Sequence, residues 1–152
     1  MKNEKKSSAN FRWVARAAGN RMSIDQEWQE VAAQPYLQRI RSLERRLAVR
    51  PDDRLAFETS MEWLRLARFR AAAGDSVHAL RAYIEAADCC FDGCWYDYGD
   101  YHLPGVALRE RFRDILAEAE RVCGEDPRLL RLLRTHPQLR LAARWLRRSL
   151  DR

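Results

Sequence analysis

The sequence predicts an all-α fold, a helical-hairpin array or irregular bundle of six or seven helices. Three observations predict it. Apolar residues recur at spacings of three and four through most of the chain, which gathers them on one face of a helix. Helix start and stop signals interrupt that pattern at short intervals, at Ser23, Pro51-Asp52-Asp53, Gly74-Asp75, Gly124, Asp126-Pro127 and His136-Pro137. No segment alternates polar and apolar residues for long enough to form a strand.

Residues 1–9, "MKNEKKSSA", lack apolar periodicity and are expected to form a flexible tail, leaving residues 10–152 as a single all-helical domain. A short helix is expected from Phe11 to Ala18, ended by Gly19-Asn20. Ser23 stands three residues before Gln26, the spacing at which a hydroxyl and a side-chain amide satisfy each other's orphan backbone donors. Ile24, Trp28, Val31 and Ala32 follow on one face. Pro35 has no amide donor, so it either kinks this helix or opens the next, along which Tyr36, Ile40, Leu43 and Leu47 fall at helical spacing.

A long central helix is expected from Arg54 to Ala73, because Leu55, Met61, Trp63, Leu64, Leu66, Ala67 and Phe69 supply more apolar surface than one stripe needs. Gly74-Asp75-Ser76 makes a tight turn, and Val77 to Cys90 returns as a helix carrying Leu80, Tyr83, Ile84 and Ala87. Pro104 begins a further helix with Leu108, Phe112, Ile115, Ala119 and Val122 in register, up to a C-capping Gly124. Pro127 and Pro137 each open a short helix of leucines and arginines.

Composition narrows the function classes. The chain is 47% hydrophobic and 33% charged, and no uninterrupted apolar run is long enough for a membrane span. Its basic beginning lacks the apolar core of a secretion signal, because Arg12 and Arg16 interrupt the only candidate stretch. With Cys89, Cys90, Cys94 and Cys123 not needed as a disulfide framework, a reducing cytoplasm is expected. Net charge is +6, with +7 of positive charge on residues 127–152 alone, where eight arginines face only Asp151. Arginine outnumbers lysine by 25 to three along the whole chain, so an individual arginine is weak evidence of a phosphate partner.

The residues around the Gly74 turn have specific spacing. From Trp63 the chain reads "WLRLARFRAAAGDSVHALRAYIEAADCC", with Trp63, Leu66 and Ala67 before the turn and Ala79, Tyr83 and Ala86 after it. Over residues 60–93 this resembles one tetratricopeptide repeat, a hairpin of two close-packed helices. The resemblance implies that the alanines let the helices approach while the rings of Trp63 and Tyr83 fill the space above and below the crossing. Arg70 and Phe91 stand where the family has an aromatic and a proline, and Gln29 and Asp97 occupy the tryptophan position in the neighbouring registers. One repeat-like hairpin buttressed by other helices is therefore expected. Peptide-binding members of the family present polar residues from the first helix, where this chain has Met61, Leu64, Arg65 and Arg68. By that resemblance Arg65 and Arg68 are candidates to pair with an acidic peptide.

Residues 89–102, "CCFDGCWYDYGDYH", concentrate cysteines and rings. The spacings among Cys89, Cys90, Cys94 and His102 are not those of metal-ligand pairs, so no metal and no cofactor are expected. Cys94 with His102 as base, lacking an identifiable third group, gives a small hydrolase only as the third reading. Trp95, Tyr96, Tyr98 and Tyr101 either tether the connection to the hairpin or offer the large polar-tipped rings that interfaces favour. Arg140, Arg144, Arg147 and Arg148 form a stripe opposed to leucines. The expected function is a non-enzymatic protein-interaction adapter for a protein or acidic peptide; the alternative is a nucleic-acid-binding accessory protein that uses the arginine-rich C-terminal helices.

Overall fold

The computed structural model describes residues 23–93, 103–137, 139–141 and 144. Within them lie α1 (Ile24–Val49), α2 (Asp53–Ala72), α3 (Ser76–Gly93), α4 (Leu103–Cys123) and α5 (Pro127–Thr135). Residues 137, 139–141 and 144 are helical too, and no strand occurs among the described residues. The fold class is all-α. None of the described helices is long and apolar enough to cross a membrane. The helix expected at Phe11 to Ala18 lies outside the described residues.

Local chemistry sets most helix ends. Ser23 and Gln26 form the reciprocal cap, with Ser23 N donating to Gln26 Oε1 at 2.9 Å and Gln26 N donating to Ser23 Oγ at 3.2 Å. Asp52 caps α2 by accepting from Arg54 N. At the other end, Gly74 N donates to Ala71 O and Asp75 N to Arg70 O, each at 3.0 Å, and Gly74 takes φ +80°. That left-handed residue closes the helix in the manner of a Schellman motif, and glycine adopts it without a Cβ penalty. Asp75 then starts α3, accepting from His78 N at 3.2 Å and meeting His78 Nδ1 at 2.7 Å. Two consecutive residues thus end one helix and begin the next.

Two expectations are refined. Pro35 lies inside a single continuous α1 and does not open a second helix. The amide it removes would have bonded the carbonyl of Val31, a residue 55% exposed, so the loss falls on a solvent-facing stretch of the helix. Gly124 follows α4 without a left-handed angle; a Cβ there would stand 2.7 Å from the Glu120 carbonyl oxygen. Close backbone approach, not left-handed freedom, explains this glycine.

Contacts group residues 1–34 into one unit and residues 35–152 into another. In the first, the opening turns of α1 expose Ile24, Trp28 and Val31 to solvent. In the second, α2 and α3 form the closest helix pair, α4 packs on both, and α5 lies against α4 and α3. Small side chains permit the close pairing: Ala56, Thr59, Ser60 and Ala67 on α2, with Ala79, Ala82, Ala86, Ala87 and Cys90 on α3, are almost fully buried. Cys90 Sγ donates to Ser60 Oγ at 3.1 Å across the pair. Tyr83 is 1% exposed and Ile115 of α4 equally so, and burial of each such side chain contributes about 1.5 to 3 kcal/mol. Trp63 is only half-buried, with its indole nitrogen covered and unbonded, so Tyr83 is the deeper of the two rings. The second half of α1 reaches α2 through larger groups: Tyr36 meets Phe69 at 5.6 Å between ring centroids, and the Arg39 guanidinium lies over Tyr36.

Candidate functional site

The basic C-terminal segment acquires its shape from two prolines. Asp126 caps α5 by accepting from Arg128 N at 2.9 Å, a bond to the charged form that holds its carboxyl below the usual aspartate value. Pro127 follows in the first turn, where a missing amide is no loss. Leu129 and Leu133 point inward, 6% and 4% exposed, while Arg128, Arg131 and Arg134 stay in solvent. Pro137 excludes helical angles from the residue before it, and His136 accordingly adopts φ −60°, ψ 124° and ends α5. Helix resumes beyond, with Arg140 N donating to His136 O at 3.0 Å.

This break lets the last described residues fold back towards α4. Leu116 and Glu120 of α4, Leu133 and Arg134 of α5, and Leu139, Arg140 and Arg144 beyond it line a groove of about 450 Å³. Leu133 and Leu139 are buried, Leu116 is half-buried, and the three arginines are exposed. Glu120 is the carboxylate in this lining, 3.8 Å from Arg134 Nε. Both partners are at least half exposed, so that pair contributes little and leaves the rim cationic. The arrangement suits a ligand that presents apolar groups to a leucine floor and carboxylates to its edge.

Arg65 and Arg68 have different surroundings. Arg65 Nη1 bonds Glu62 Oε1, and the other oxygen of the same carboxylate accepts from Arg39 Nε at 3.1 Å. Glu62 is a residue only 7% exposed, so two guanidiniums compensate one covered charge. A second groove, of about 550 Å³, runs past this cluster between Leu43, Phe57 and Met61. Two of its lining residues also meet Arg111 of α4, whose guanidinium lies 4.8 Å from the Phe57 ring centroid and contacts Met61 Sδ. Arg68 forks onto Glu118 of α4, with Nε and Nη2 bonds between 2.8 and 3.2 Å, and the Tyr83 hydroxyl bonds the same carboxylate. Burial pushes the Glu118 carboxyl up, but the bonds from Arg68 and Tyr83 and the charge of Arg68 outweigh it, and the group titrates below the ordinary glutamate value. Desolvation above all pushes the Tyr83 phenol up. Arg65 and Arg68 are thus held by carboxylates of their own chain.

Trp95, Tyr96, Tyr98, Tyr101, Arg147 and Arg148 lie outside the described residues, as do Cys94 and His102. Of the described thiols, Cys89 is raised well above its ordinary value, chiefly by burial, which disfavours a thiolate there. Among the described residues no group of three or more His, Cys, Asp or Glu side chains could hold a metal ion. Arg140 and Arg144, singled out from the sequence, are brought together; Arg134, Leu116 and Leu139 join them without having been marked as site residues. The signal for Arg134 was present in the three-residue recurrence of Arg128, Arg131 and Arg134, whereas α4's contribution had no local signature.

Compared with known proteins, the chain matches no family model, no curated protein and no solved structure.

Proposed function

We propose that this chain is a non-enzymatic helical adapter that receives an acidic, apolar-anchored segment of a protein partner in the groove between α4, α5 and the helical residues beyond Pro137. One observation carries the reading: Arg134, Arg140 and Arg144 rim a floor made of Leu116, Leu133 and Leu139. Half-buried Leu116, backed by Leu133 and Leu139, offers apolar surface to a ligand that brings apolar groups, and arginines at its edge select carboxylates beside them. The α2–α3 hairpin, with its buried Ala67, Ala79, Tyr83 and Ala86 around the Gly74 turn, supports a scaffold of tetratricopeptide type.

The second reading, nucleic-acid binding, is favoured by five exposed arginines, Arg128, Arg131, Arg134, Arg140 and Arg144. A phosphate backbone would make no use of the apolar surface of Leu116, which ranks this reading second. Fluorescence anisotropy separates the two. Two short helical peptides share leucines at i, i+4 and i+7 and carry either glutamate or lysine between them; a mixed-sequence DNA duplex is the third probe. The glutamate peptide is expected to bind, the lysine peptide not, and Arg140→Gln with Arg144→Gln to weaken the glutamate peptide about tenfold, a change of about 1.4 kcal/mol. Duplex binding tighter than that of the glutamate peptide and surviving about 0.3 M salt would overturn the adapter reading, because phosphate contacts weaken steeply with salt.

A further inference from the structure

The opening of α1 has the chemistry that the C-terminal groove selects. Ile24, Trp28 and Val31 recur at i, i+4 and i+7 and are 73%, 69% and 55% exposed. Three large apolar side chains in line on one exposed helical face, a tryptophan among them, form the pattern by which an amphipathic helix docks into a groove. Residues 23–34 also contain Asp25, Glu27 and Glu30 and no lysine or arginine, for a charge of −3. Glu27 and Glu30 hold interactions within their own chain; Asp25, in the first turn, is exposed. The Ser23 cap holds this stretch helical, and the three anchors span about 10 Å along its axis at 1.5 Å per residue.

We propose that the groove at the C-terminal helices takes the Ile24–Trp28–Val31 face of a second copy of this chain. The apolar anchors seat on Leu116, Leu133 and Leu139, and Asp25 meets the arginine rim. Charge complementarity supports this occupant: exposed Asp25, on a segment with no lysine or arginine, faces a groove whose described lining holds three arginines and one glutamate. The assignment rests on the groove being a receptor for acidic, apolar-anchored helices. A chain that carries both the receptor and its ligand associates head to tail.

Sedimentation equilibrium on the full chain tests it through complementation. The parent is expected to associate with rising concentration, and less at high salt. Trp28→Ser with Val31→Ser removes the ligand face and keeps the groove; Arg140→Glu with Arg144→Glu removes the groove and keeps the face. All four positions are solvent-exposed, so both variants are expected to retain the parent's circular dichroism. Each variant alone is expected to be monomeric, its association constant lowered about thirtyfold or more, as loss of an interface hot spot does. An equimolar mixture is expected to form a complex with one of each, since the intact face of one meets the intact groove of the other. Asp25→Arg supplies an independent variant that weakens association without touching an apolar anchor.

Association of either double variant at the parent's strength, or a mixture that stays monomeric, overturns the proposal. The glutamate peptide, titrated into the Trp28→Ser, Val31→Ser variant, distinguishes the two failures. Peptide binding with a monomeric mixture sinks self-association alone, and absence of both sinks the groove reading with it.

Discussion

Arg65 and Arg68 on α2 and Arg140 and Arg144 at the C-terminal groove carry the same charged group in opposite circumstances. On α2 each guanidinium meets a carboxylate from its own chain, Glu62 for Arg65 and Glu118 for Arg68, and the second carboxylate also receives the Tyr83 hydroxyl. At the groove, Arg134, Arg140 and Arg144 share a lining in which Glu120 is the one carboxylate among the described residues. The first pair knits helices together, Arg68 joining α2 to α4 and, through Glu118, to Tyr83 of α3. The second presents charge to the outside. An arginine is thus structural or available according to the carboxylates within reach of it, and its position on a basic stripe decides neither.

The contrast can be broken most forcefully from the α2 side. Tyr83→Ala empties the crossing of α2 and α3 and removes a donor from Glu118; replacing a large buried ring in this way costs about 3 to 5 kcal/mol. Thermal unfolding is expected to show a large fall in Tm, and a variant melting with the parent would remove Tyr83 from the core. A smaller effect is expected from titrating Glu118. Its folded pKa lies below the ordinary value of 4.5, so its contribution is complete above that pH and is lost as pH falls through the folded value. Stability measured by urea unfolding at descending pH is expected to drop more steeply in the parent than in Glu118→Gln; equal slopes would show that Arg68 and Tyr83 do not favour the charged form. The smallest effect belongs to the groove. Arg140→Gln with Arg144→Gln is expected to leave stability within about 0.5 kcal/mol of the parent, as exposed substitutions usually do, while weakening the glutamate peptide. A substantial fall in Tm for this variant would place these arginines with the structural ones.

Legibility in the sequence followed chain distance. The Ser23–Gln26 cap, the Asp52 cap, the Gly74-Asp75 turn and the Pro127 and Pro137 helix starts are all present where the sequence places them, because the groups that satisfy one another there are neighbours along the chain. Pro35 left two options open, and the continuity of α1 through it needed the full helix to be seen. Arg39 and Glu62 are 23 residues apart and Arg68 and Glu118 are 50 apart, so no spacing rule marks either pair. Trp63 and Tyr83 read alike in the hairpin pattern, yet only Tyr83 is fully enclosed, since enclosure depends on α4 as well as on the hairpin.

What the sequence by itself determined is the all-α class and most of the groups that cap and break the helices. These follow from apolar periodicity and from hydrogen bonds between groups a few residues apart, which any chain with these neighbours makes. Tertiary structure alone decided which arginines are held and which face solvent, and it alone gathered Leu116, Leu133 and Leu139 from three separate segments into one floor. Coulomb attraction and apolar burial depend on separation in space, and packing sets that separation for residues far apart along the chain.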